Sequence, residues 1–181
     1  RIEATGLKRV QCLWPRSNRG FSRCVPTPAM RRATAIALSP DGRLVVTGVR
    51  DKGWATLALF ARARNGKLSF RRALPPVKGL GVAKIDQLEF AANGRSLYAV
   101  GGRNAGEPRI LTRFKVNAKR GRVAFAQCLA AGTHRLCDAV PQLNGLTEIT
   151  LGGGLVYATV ADPNAATGPN ALVRFRPQPK R

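Results

Sequence analysis

Four cysteines are the residues of this 181-residue chain whose spacing most directly implies chemistry. Cys12 and Cys24 are separated by eleven residues, Cys128 and Cys137 by eight. Structural zinc sites bring short Cys-x-x-Cys knuckles or histidine partners, and the single histidine, His134, lies inside the second cysteine loop beside Arg135, where an exposed position is expected. Two short-loop disulfides fit better than zinc, and reduced, buried thiols are the other reading. Disulfides imply an oxidising compartment.

Hydrolysis needs a nucleophile or a general base with a partner. The chain has only nine acidic residues; Asp41 sits in a turn motif, and Glu89 and Glu148 read as the starts of strands. Paired carboxylates and metal-ligand clusters are missing from the sequence pattern, and Gly152-Gly153-Gly154 reads as a hairpin turn, with no phosphate loop before a helix. No catalytic residue, metal or cofactor is expected from these residues.

Basic residues are plentiful. Lys plus Arg number 31, giving a net charge of +22 and a positive potential that attracts polyanions. An Arg-heavy, Ala/Gly-rich composition alone also produces such an excess. Aromatics are only 6% of the chain and no stacking motif is present, so specific nucleic-acid recognition is not expected.

The elements that must hold these residues repeat three times. Ile36 to Thr47, Leu88 to Ala99 and Ile149 to Ala158 each place two apolar runs around a turn, followed by a third run ending at Phe60, Phe114 and Phe175. Period-like self-similarity of this kind marks a repeat architecture. In the first unit, strand A is Ala35 to Leu38, strand B Leu44 to Thr47, strand C Ala55 to Ala61 and strand D Lys67 to Ala73. Ser39-Pro40-Asp41-Gly42 joins A to B, with Pro presetting φ and Gly accepting positive φ. Asn93-Gly94 turns the second unit, whose D strand is Arg122 to Cys128. No stretch carries a helical apolar period or approaches the length of a membrane span.

The fold class is therefore all-β, and four-stranded units in series are the pattern of a β-propeller of about three antiparallel blades. The expected units are residues 1–34 (an outer strand, Gly6 to Cys12, and the first cysteine loop), 35–86, 87–146 with the second cysteine loop, and a partial blade at 147–181. Three blades fall short of the four to eight of closed propellers. A shortened propeller or a piece of a larger one is expected, with a two-fold dimer closing six blades as the alternative.

Ser39-Pro40-Asp41-Gly42-Arg43-Leu44-Val45-Val46 with Asn65-Gly66-Lys67-Leu68 resembles the blade repeat of lactonase-type propellers, the group containing 6-phosphogluconolactonase and many non-enzymatic relatives. Cys128-Leu129, Cys137-Asp138 and Leu143-Asn144-Gly145 are similar in order to a cysteine-bearing, exported bacterial subgroup. Gln11-Cys12-Leu13 repeats Gln127-Cys128-Leu129, whereas Arg72 to Pro76 stands where cysteines would fall, so that loop must be held otherwise. The resemblance implies a secreted, periplasmic or cell-surface protein, whose leader is expected to lie outside a chain opening on Arg1.

Propeller geometry places the B/C and D/A loops on one face. Asp51, Trp54, Arg103 and Asp162 are the candidate ligand residues there. The outer rim is expected to carry an anion-binding belt of Arg62, Arg64, Arg71 and Arg72, then Arg113, Lys115, Lys119, Arg120 and Arg122, then Arg174 and Arg176. The functional expectation is a non-enzymatic binding or scaffold module that adheres to anionic polymers. A lactonase-like hydrolase of sugar lactones, with its site on the loop face, is the alternative.

Overall fold

The computed structural model describes residues 11–14, 24–27, 30, 32–51, 53–102, 109–161 and 171–176. The expected strand Gly6 to Cys12 lies outside these residues up to Val10. Among the described residues the regular structure is fourteen strands and a 3-10 turn at Pro141–Leu143, with no α-helix.

Blade one is the antiparallel sheet β3 (Ala35–Leu38), β4 (Leu44–Asp51), β5 (Trp54–Arg62) and β6 (Leu68–Ala73), in that order. Blade two is β7 (Lys84–Phe90), β8 (Ser96–Gly102), β9 (Ile110–Asn117) and β10 (Arg122–Ala130), extended by a parallel pairing to the short β11 (Asp138–Ala139). Blade three is β12 (Leu146–Gly152), β13 (Leu155–Val160) and β14 (Ala171–Phe175). Before blade one, β1 (Leu13–Trp14) pairs in parallel with β2 (Val25–Pro26). β7 begins within the residues assigned above to the first unit, because pairing with Gly102 starts at Lys84.

Alternation along the strands gives blades one and two an apolar residue set on both faces, and each of those faces is covered by a neighbouring element. Leu44, Val46, Leu57 and Leu59 of blade one meet Leu88, Leu97, Phe114 and Val123 of blade two. On the opposite face of blade two, Tyr98, Val100 and Leu111 meet Ile149, Val156 and Ala158 of blade three. Val45, Val49, Ala58 and Phe60 face the other way and are covered by Leu13 and Met30. Strands β3, β7 and β12 contact one another in series, so they are the inner edges on which the blades converge.

Two of those inner edges are stapled. The Gln87 carboxamide donates to the Ile149 carbonyl at 2.6 Å and accepts from the Ile149 amide at 2.8 Å, while Glu89 accepts from the Leu151 amide at 3.0 Å. Glu89 thus lies late in β7, where it serves the interior of a blade junction; the shorter strand expected from the sequence put it at a strand start.

The Ser39 to Gly42 turn shows why that motif repeats. Buried Ser39 accepts from the Leu44 amide at 2.9 Å and donates to the Asp41 carboxylate at 2.6 Å, which also accepts from the Arg43 amide at 3.1 Å, and Gly42 has φ of 68°. The Ser39 hydroxyl, then the Arg43 amide, hold the Asp41 carboxyl below its ordinary pKa. A carboxyl lowered by folding contributes stability above its unfolded pKa, about 3.9, and loses it as pH falls through the folded value. Asp41→Asn is therefore expected to lower stability at pH 7 while leaving it nearly unchanged at about pH 2. Paired urea titrations at the two pH values check this, and equal losses at both would refute it.

Candidate functional site

The inner strands β3, β7 and β12 each enter from the D/A loops, and each has one extra residue at the entry. In β7 the ladder slips between Ile85 and Gln87, leaving Asp86 as a bulge opposite the strand of Val100 and Gly101. In β12 the slip between Leu146 and Glu148 leaves Thr147 in the same place. In blade one, Thr34 donates its amide to Gly48, the residue that Ala35 already faces. Superposing the repeats makes Thr34, Asp86 and Thr147 equivalent. Bulges of this kind re-aim a side chain at the end of a strand.

The two threonines turn inward to their own sheet: Thr34 donates to the Gly48 carbonyl at 3.3 Å and Thr147 to the Thr159 carbonyl at 3.0 Å. Asp86 does otherwise. Its carboxylate sits 2.6 Å from Lys84 Nζ and 3.9 Å from Arg109 Nε, and Arg109 also donates to the Thr147 carbonyl at 2.6 Å. A partly exposed carboxylate flanked by an ammonium and a guanidinium therefore lies at the loop end of an inner strand. Gly101 makes room for it: a Cβ there would stand 2.2 Å from the Lys84 carbonyl oxygen and 2.9 Å from Val82.

Both cysteine pairs are disulfides, Cys12–Cys24 and Cys128–Cys137, and no described cysteine is free. They close copies of one device, since Leu13 pairs with Val25 and Leu129 with Asp138 in the same parallel sense just beyond each bridge. The matching Gln11 and Gln127 have different tasks: Gln11 bonds both backbone groups of Leu68, and Gln127 donates to Asp138. Donor atoms of Cys128, His134 and Cys137 lie within 4.8 Å of one another, but the two sulfurs are bonded to each other.

His134 is half-buried, not the exposed side chain expected. Its Nε2 lies 3.1 Å from the Leu80 carbonyl and its Nδ1 accepts from the Leu136 amide at 3.2 Å. Leu80 belongs to the cysteine-free D/A loop of blade one, so the disulfide loop of blade two braces that loop. Main-chain bonds complete the support, from Leu74 to Leu57 at 2.8 Å and from Ala55 to Val82 at 2.9 Å.

Of the expected ligand residues, Asp51 ends β4 opposite Trp54, which is 43% exposed. Arg103 and Asp162 lie outside the described residues. Along the expected belt, Arg62, Arg64, Arg71, Arg72, Lys115, Lys119, Arg120, Arg122, Arg174 and Arg176 are exposed. Arg113 is drawn in: it is half-buried beside Tyr98, whose hydroxyl pKa is raised by burial against the opposing pull of that guanidinium. Sequence patterning missed Asp86, because a bulge breaks the strand period at the very residue it exposes.

No family model and no curated protein matches the chain. Among solved structures, it is similar to the periplasmic gluconolactonase of Pseudomonas aeruginosa, with a TM-score of 0.51 and 20% identity over 84% of this chain and 42% of that one. It is also similar to a eukaryotic initiation factor, with a TM-score of 0.51 and 10% identity over 83% of this chain and 31% of that one. The chain thus spans less than half the length of either. The blades and these likenesses define a β-propeller.

Proposed function

We propose that this chain is part of a propeller that hydrolyses small sugar lactones at its loop face. The observation that carries the reading is Asp86, a carboxylate set on a bulge at the loop end of an inner strand where its repeat equivalents are threonines, with Lys84 and Arg109 beside it. In that role the Asp86 carboxylate takes a proton from the attacking water, and Arg109 stabilises charge developing on the lactone carbonyl oxygen. Asp51, Trp54, Arg103 and Asp162 then serve as ligand contacts from the B/C loops. The fold likeness to a periplasmic gluconolactonase supports this alternative over a purely non-enzymatic module, and the disulfides fit an exported protein.

Glucono-δ-lactone opening, followed by proton release, tests it. Asp86→Asn is expected to lower the enzyme-dependent rate by about 100-fold or more, the usual worth of a general base, with Asp51→Asn reducing it less. A rate unchanged by Asp86→Asn overturns the assignment of Asp86.

The exposed basic rim favours a second reading, adhesion to an anionic polymer. Binding to a polyanion column is expected at low salt, with the logarithm of affinity falling linearly against the logarithm of salt concentration. Retention that ignores salt, or no retention at low salt, removes this role.

A further inference from the structure

Blade one is shorter than blade two along its outer edge. β6 pairs only as far as Ala58, whereas β10 continues to Ile110, two repeat positions further toward the loop face. The face of blade two opposite that missing stretch is left partly uncovered. Leu74 to Val82 arches over it, packing Leu74, Val77, Leu80 and Val82 against the core, while Pro75, Pro76, Gly79 and Gly81 between them leave part of it open. The result is a cleft of about 930 Å³ between the blades, within the size range of small-molecule sites.

Its walls are preformed. The arch is tied down at Leu57, at Ala55 and by His134 of the disulfide loop, and the floor is the sheet of blade two. The lining is apolar, with Phe114 and Phe125 set edge to face at 6.4 Å and Leu57, Ile85 and Val123 around them. Lys78, exposed on the arch, is the one charged residue among those described around the cleft.

We propose that this cleft binds a medium-chain fatty acid, with its hydrocarbon chain between blades one and two and its carboxylate at Lys78. Charge decides the head group: a single cation at an apolar cleft, in a protein of net charge +22, disfavours a cationic amphiphile and attracts an anionic one. The cleft shares Trp54 with the proposed lactone contacts and reaches Ile85 and Gly101 beside the Asp86 bulge, but Asp86 and Arg109 are not among its lining residues, so fatty-acid binding and Asp86-dependent lactone turnover are tested independently.

Titration calorimetry of the protein with octanoate, decanoate and dodecanoate, each below its micelle concentration, tests it. Affinity is expected to rise roughly fourfold per added methylene, the equivalent of about 0.8 kcal/mol. Ala55→Trp, at a half-buried position that lines the cleft and packs against the same core, is expected to abolish binding. Lys78→Glu is expected to weaken decanoate roughly fivefold and to leave decanol unaffected; being at a solvent-exposed side chain, it keeps the test decisive whatever Ala55→Trp does to folding. The proposal is overturned if no chain length binds, if affinity ignores chain length, or if decylammonium binds as tightly as decanoate.

Discussion

Replacing both Cys128 and Cys137 by serine is expected to lower stability by about 2 to 4 kcal/mol. The bridge closes a loop of separation 9, and its removal restores that loop's freedom to the unfolded chain. Native contacts suffer as well. β11 has only two residues, too few to hold a parallel pairing unaided, and the bridge at its entrance keeps Asp138 opposite Leu129. Cys128 and Cys137 are themselves buried, so serine hydroxyls would need partners in an apolar junction. A domain of this size should lose roughly 5 to 15 °C in melting temperature. The loss should extend to blade one, because His134 would no longer be held against the Leu80 carbonyl. Hydrogen exchange at residues 77–82 reads that second effect: protection there that survives the double substitution would show that the disulfide loop does not brace the arch.

Gly101→Ala should be as damaging, although it adds one methyl group to a strand residue. The added carbon meets a main-chain oxygen at 2.2 Å, and a main chain cannot rotate aside as a long side chain does. Either β8 shifts, disturbing Val100 and its junction with blade three, or the Ile85 to Gln87 bulge is pushed out. Overpacking of this kind costs about 3 kcal/mol at the severe end of its range, roughly 6 to 12 °C in melting temperature. Gly152→Ala is the control, since a Cβ there comes no closer than 3.8 Å to Tyr157. Should Gly101→Ala melt with the parent protein, the close approach of Lys84 to Gly101 is not a constraint. If instead the fold survives while lactone turnover disappears, the bulge has moved Asp86 without unfolding the blade.

How legible the fold was depended on the kind of residue that specified it. Ser39 to Gly42 and Asn93-Gly94 carry their turns in local chemistry, and the alternation of apolar residues from Leu44 through Phe60 announces strands without reference to the rest of the chain. The disulfides were readable as short loops for the same reason. Asp86 was not, because nothing in Lys84-Ile85-Asp86-Gln87 signals that one residue is looped out. That follows from Gly101, fifteen positions away, and from the pairing of Ile85 and Gln87 to successive residues of β8. Gln87 and Glu89 were equally opaque: their partners are main-chain groups of β12, more than sixty residues on. His134 read as exposed since only the folded arch brings the Leu80 carbonyl to it. Asp51 and Trp54, expected in the loop between strands B and C, instead form the last pair of the β4/β5 ladder, because cross-strand pairing carries both strands past the apolar run that marked them.

Thr34, Asp86 and Thr147 also bear on how such a repeat acquires chemistry. A residue looped out of its ladder has no cross-strand residue to match, so its side chain can bond back to its own sheet, as Thr34 and Thr147 do, or reach outward, as Asp86 does, while the blade around it stays as it is. Every blade carries such a vacancy of commitment at the same height on the inner edge. Duplicating a blade therefore duplicates a socket, and one substitution in one copy is enough to convert it from self-bonded threonine to outward-reaching acid. By this logic the protein's reactive inventory can be edited one blade at a time, and Thr147→Asp, already beside Arg109, is the next position at which a second carboxylate could be installed without redesigning the sheet.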